Sequence, residues 1–114
     1  MGEIQKAYIV PHPPIIIPEI GKGREQAAAA TIKAYHTIGA QIGELAPQVI
    51  ILTTPHGTAY SDYIHISPGE KLRGNFGDFG ASELKYEFDA DTELSDRIAG
   101  TASSYGIEAG GLGS

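Results

Sequence analysis

The chain has 114 residues with 41% apolar side chains, enough for one domain and a modest core. Its 14 acidic against 8 basic residues give a net charge of -6 with no Lys/Arg cluster, which argues against a nucleic-acid or anionic-membrane surface. It has no cysteine, hence no disulfide, zinc ribbon or thiol chemistry, and its apolar runs are far shorter than the ~20 residues of a membrane span. No basic segment leads into an apolar signal core, so the expectation is a soluble cytoplasmic chain with no membrane partner.

Residues 6–10 read as a short buried strand, β-branched and aromatic without a breaker. Pro11, Pro13, Pro14 and Pro18 then argue against regular structure, since each lacks an amide donor and restricts its predecessor. Ile15, Ile16 and Ile17 inside this loop are expected to pack under a sheet edge or line a pocket. A long helix is predicted from Gly23 or Arg24 to Leu45, with Ala28, Ile32, Tyr35, Gly39, Ile42 and Ala46 on one stripe and Pro47 as the stop. Gly39 and Gly43 would permit close approach to a sheet, and His36 falls at the stripe's half-covered boundary. Residues 48–53 are nearly all apolar, as in a parallel strand covered on both faces. The first half is thus predicted as a right-handed βαβ unit, and the fold class as α/β with a mostly parallel sheet and flanking helices.

Beyond His56 the pattern changes. Residues 63–67 alternate, with His65 on a solvated face, and turn at Pro68-Gly69 so that 70–73 pair back on them. Residues 74–80 read as a loop anchored by Phe76 and Phe79, and 83–88 as a further strand. A second helix is predicted from Asp91 or Thr92 to Tyr105, capped by Asp91, with Leu94, Ile98, Ala102 and Tyr105 inward and Gly106 ending it. A strand starts at 107–109, and the chain closes on Gly110-Gly111-Leu112-Gly113-Ser114. A sheet ending there would leave an open edge. Residues 1–114 therefore read as the front half of a larger α/β domain, prone to self-association or awaiting a second half.

Chemistry concentrates in His12 and His56. Each follows a proline at the end of a hydrophobic run, in Val10-Pro11-His12-Pro13-Pro14 and Leu52-Thr53-Thr54-Pro55-His56-Gly57. A lone histidine there is usually an ordinary loop residue. Two of them at matching ends of adjacent parallel strands would start a divalent-metal site at the sheet edge where α/β folds bind ligands. The rigid prolyl residue before each ring helps to fix its direction. Asp62, in Tyr60-Ser61-Asp62, is a candidate to orient a ligand imidazole, although an Asx turn is the plainer reading; Glu19 is the weaker carboxylate. Asp78-Phe79-Gly80 lacks every other kinase element, and Gly21-Lys22-Gly23 lacks P-loop spacing.

The strings Val-Pro-His-Pro-Pro-Ile-Ile-Ile-Pro-Glu-Ile-Gly at 10–21 and Ile-Ile-Leu-Thr-Thr-Pro-His-Gly-Thr-Ala-Tyr-Ser-Asp at 50–62 resemble the N-terminal half of class III extradiol ring-cleavage dioxygenases. These are relatives of the catalytic subunit of protocatechuate 4,5-dioxygenase. Phe79 to Leu84 is similar to the dioxygenase-like domain found fused to AMMECR-type domains and to Memo proteins. The resemblance implies Fe(II), with Zn(II) or another divalent metal as alternatives, held by His12, His56 and a carboxylate, with an aromatic diol and dioxygen as substrates. The family's carboxylate and its acid/base histidine lie in a second half that these 114 residues do not include, so the chain alone is expected to be inactive. A Memo-type binding or scaffold protein and a metal-dependent hydrolase are the other readings, because one scaffold serves many functions.

Overall fold

Residues 2–111 are described by the computed structural model; the last three residues of the glycine-rich close lie outside the described residues. The chain divides into two compact units, one of residues 2–47 with 76–83 and the other of 48–75 with 84–111.

In the first unit, residues 6–10 form no strand, and only Tyr8 among them is half-buried. The expected strand is corrected to a tethered segment: Tyr8 donates its hydroxyl to Gln41 Oε1 at 2.8 Å, a side-chain bond in place of a ladder. The prolines also do more than exclude structure. Pro14 opens a 3₁₀ turn, Pro14–Ile16, and Pro18 opens the single-turn helix α1, Pro18–Gly21. Proline suits both starts because its missing N–H has no partner in a first turn and its φ is already helical. Ile15, Ile16 and Ile17 are half-buried.

The long helix forms where it was predicted. A 3₁₀ turn, Arg24–Ala28, runs into α2, Ala29–Leu45. Its half-buried stripe is Ala28, Thr31, Ile32, Tyr35, Ile38, Gln41 and Ile42. Ile38 thus takes the place expected of Gly39, which is exposed with open space where a Cβ would stand, as is Gly43. Neither glycine admits a sheet, and His36 is exposed rather than half-covered. Ala46 ends the helix in the left-handed region (φ 45°), its N–H on Ile42 O at 3.0 Å; Pro47 denies it the helical conformation.

The second unit holds the small parallel sheet. Strand β1, Ile64–His65, pairs in parallel with the later β4, Ala109–Gly110, in the register Ile64 with Ala109 and His65 with Gly110. Between them run β2, Lys71–Phe76, and β3, Ala81–Asp89, paired as a second sheet, then α3, Thr92–Ser104. The α/β class therefore holds, but the parallel pair uses different segments from those expected. Residues 48–53 form no strand and are exposed, Leu52 to 82%. Residues 70–73 pair with β3 instead of folding back on 63–67.

The pairs Lys71–Asp89 and Arg73–Glu87 (2.6 Å) and the bond Ala90 N to Glu70 O define an antiparallel hairpin. That register puts Lys71, Arg73, Lys85, Glu87 and Asp89 on one face and Leu72, Leu84, Tyr86 and Phe88 on the other. Lys71, by hydrogen bond first and by charge second, holds the Asp89 carboxyl below its ordinary pKa. The hairpin turns through a 3₁₀ segment, Gly77–Phe79, where the Phe76 and Phe79 rings lie 6.4 Å apart.

Helix α3 is defined at both ends by sequence signals. Asp91 caps it, accepting from Leu94 N at 3.0 Å. At the other end Gly106 N bonds Ser103 O and Ile107 N bonds Ala102 O, both at 2.9 Å, a Schellman closure with Gly106 at φ 77°. Leu94, Ser95, Ala99 and Ala102 are its half-buried residues, whereas Tyr105, expected inward, is 80% exposed because the helix has already ended. Among the described residues no helix is long and apolar enough to cross a membrane.

Candidate functional site

His12 belongs to the first unit and is exposed. The carbonyl of Pro11, immediately before it, accepts the Tyr35 hydroxyl from α2. Together with the Tyr8–Gln41 bond this lays the approach to His12 along the helix. Immediately after it, Pro13 O accepts from Ile16 N at 3.2 Å and Pro14 O from Ile17 N at 3.0 Å. The backbone is thus fixed on both sides of the imidazole without any strand pairing.

His56 belongs to the second unit and is also exposed. Its amide donates to Thr54 Oγ1 at 3.2 Å, a threonine turn that spans Pro55. Asp62 is exposed in the same loop. Among the described residues no three His, Asp or Glu side chains gather as a metal-binding group. The donor chemistry suits iron or zinc as far as it goes, since both accept imidazole. Two imidazoles alone leave a three-ligand face incomplete.

His65 differs from its expected place on a solvated face. It is half-buried while Ile64 is exposed, and its Nδ1 is sealed from water without a hydrogen-bond partner. Tyr60 stands edge-on to Tyr63, with centroids 5.7 Å apart at 87°, and tilted against His65 at 6.3 Å. This cluster was not singled out from sequence, although three rings within six residues of one another, just beyond Pro55-His56, were a legible signal. Two open hollows also lie in the second unit. One, about 350 Å³, is lined by Arg73, Gly74, Asn75, Lys85, Tyr86 and Glu87; the other, about 140 Å³, lies against Ile66, Thr92 and Gly110. Neither is lined by His12 or His56.

The small parallel sheet with its helices and the two Pro-His turns define an α/β chain that presents a pair of imidazoles on anchored loops. Residues 6–111 match the family model described as the catalytic LigB subunit of aromatic ring-opening dioxygenase, and the chain belongs to that family. It is 40% identical over 91 residues to protein CA_C1420 of Clostridium acetobutylicum, an alignment covering 80% of this chain and 19% of that protein. The chain thus spans about a fifth of that relative's length. No solved structure matches the chain.

Proposed function

We propose that this chain is the N-terminal part of a cytoplasmic, non-haem Fe(II)-dependent extradiol dioxygenase-like protein in which His12 and His56 supply two of three metal ligands. The observation that carries this reading is the repeated Pro-His turn inside the family-matched residues, each held by hydrogen bonds within its own unit. Iron, when bound, supplies the chemistry by which dioxygen opens an aromatic diol beside its hydroxyls.

The chain's own contribution is placement. Pro11 and Pro55 restrict the backbone before each ring, and Thr54 and Tyr35 hold the turns from outside. A ligand imidazole also needs its other ring N–H satisfied, and Asp62 is the carboxylate we assign to that task on the His56 side. No residue of the chain is assigned as acid or base, and the third ligand belongs to residues beyond these 114. The domain is accordingly read as partial, and the chain alone as without turnover.

The test is a metal titration of the purified chain by calorimetry, with Fe(II) under anaerobic conditions and Zn(II) in parallel. His12→Ala and His56→Ala should each weaken binding by at least about tenfold, and Asp62→Asn by roughly tenfold. Unchanged affinity in both histidine variants would remove the reading. Ring-fission absorbance from a catechol supplied to the Fe(II)-loaded chain would overturn the claim of inactivity.

A further inference from the structure

Two β-strands alone are marginal in water, and a sheet gains independent stability with three or more strands over an apolar face. Among the described residues β2 and β3 make a two-stranded sheet, and its apolar face leaves Leu72, Tyr86 and Phe88 40, 46 and 63% exposed. Each strand is therefore an edge, with an outer row of main-chain N–H and C=O groups.

The register assigns those rows. Ala90 N bonds Glu70 O, so the main-chain groups of Ala90, and by alternation those of Phe88, Tyr86 and Leu84, point toward β2. Those of Lys85, Glu87 and Asp89 point away from it. Their side chains lie on the charged face, where Lys71–Asp89 and Arg73–Glu87 are the ion pairs among the described residues and Lys85 is left over.

The two edges differ in what they can accept. β2 carries Lys71 and Arg73 beside its outer groups, and cations along an edge oppose pairing with a copy of itself. β3 can pair antiparallel with a second copy of β3 about a two-fold axis, in the registers that set outward-facing residues opposite one another. Centred on Lys85, the pairing sets Lys85 against Lys85 and Glu83 against Glu87, all like charges. Centred on Leu84, it sets Tyr86 against Ser82 and Phe88 against Gly80, which lies before the strand begins. Centred on Tyr86, it sets Lys85 against Glu87 of the second copy twice, Leu84 against Phe88 twice, and Tyr86 against itself. The like pair that remains, Glu83 against Asp89, falls at the ends, where Lys71 already offsets the aspartate.

We propose that β3 is a self-association edge: two copies of the chain pair through it, antiparallel and centred on Tyr86, into one four-stranded sheet. The charge match selects this register, and the two-fold axis closes the assembly at two copies. The pairing is independent of any metal at His12 or His56.

The experiment is sedimentation equilibrium of the 114-residue chain at low salt. The parent chain should form dimers. Lys85→Glu and Glu87→Lys should each weaken the dimer by at least about tenfold, because each variant meets its own copy with like charges twice. Their equimolar mixture should associate at least as tightly as the parent, since each copy then brings the charge that the other lacks. Tyr86→Cys tests the register separately, in a chain with no other cysteine. The Cα atoms of a directly opposed pair of this kind lie about 4.5 Å apart, within disulfide reach, so oxidation should yield a linked dimer on a non-reducing gel. Phe88→Cys should not link, because its two copies lie four positions apart across the axis, roughly 13 Å. A monomer at every concentration up to about 1 mM overturns the proposal. So does a dimer indifferent to both charge variants, a mixture no tighter than its components, linkage at Phe88→Cys in place of Tyr86→Cys, or growth beyond two copies. Should a charge variant fail to fold, seen by circular dichroism, the cysteine pair decides alone.

Discussion

Gly21 is the position at which one methyl group should disturb the His12 loop most. It is buried at the end of α1, its N–H bonded to Ile17 O at 2.8 Å. A Cβ there would lie 2.4 Å from Ile15 O and 2.7 Å from Glu25 Oε2. The first neighbour is backbone of the Pro14–Ile16 turn and cannot swing aside. The second is a flexible side chain, but its carboxylate already accepts Gly23 N at 2.6 Å, so moving it breaks a hydrogen bond. Overpacking costs about 1–3 kcal/mol and the lost bond about 1 kcal/mol. Reduced freedom of the unfolded chain returns about 0.4–1 kcal/mol, leaving Gly21→Ala destabilising by about 2 kcal/mol. The disturbance is local, so amide exchange at Ile17 and Lys22 is the sensitive assay, with a rise of roughly thirtyfold expected. Gly39→Ala is the matched control: it is exposed in α2 with open space at the Cβ, and should stabilise by about 0.5–1 kcal/mol. Exchange at Ile17 and Lys22 in Gly21→Ala equal to that of the parent would refute the steric reasoning.

Two further substitutions check the second unit. Asp91→Ala should cost about 1 kcal/mol by leaving Leu94 N without its cap, seen as earlier fraying of the first turn of α3 in amide exchange; protection equal to the parent's would contradict it. Lys71→Met should let the Asp89 carboxyl rise back toward its ordinary pKa, followed by carboxyl NMR titration. Because the folded value is the depressed one, the pair's contribution is present above the unfolded pKa and fades as pH falls through the folded one. Added salt should weaken it, since both partners are exposed, and a titration unmoved by the substitution would show that Lys71 is not the cause.

The helices were legible because their signals are local. Pro47, Asp91 and Gly106 act on the backbone within a turn of where they stand, and α2 and α3 end as they dictate. Strands were legible near 63–67 and 107–109, but not their parallel pairing, because a strand's partner lies elsewhere in the chain. Residues 48–53 have the composition of a central strand, yet the pairing falls to Ile64–His65 and Ala109–Gly110, where alternation alone gave no preference. His65, expected on a solvated face, is half-buried in a strand whose partner lies more than 40 residues later. The candidate ligands divide in the same way. His12 and His56 were visible as a repeated dipeptide, whereas the contacts among Tyr60, Tyr63 and His65 are seen only in the fold.

The way the two histidines are held has a consequence for how a metal site would form. The bonds described at the His12 turn come from Tyr35, Ile16 and Ile17, and the one described at His56 goes to Thr54. Such local restraint lowers the ordering cost of ligation for each imidazole separately, as preorganisation requires. Both turns are held although residues 6–10 and 48–53 belong to no strand. Disturbing one turn should therefore reduce metal affinity without loosening the other.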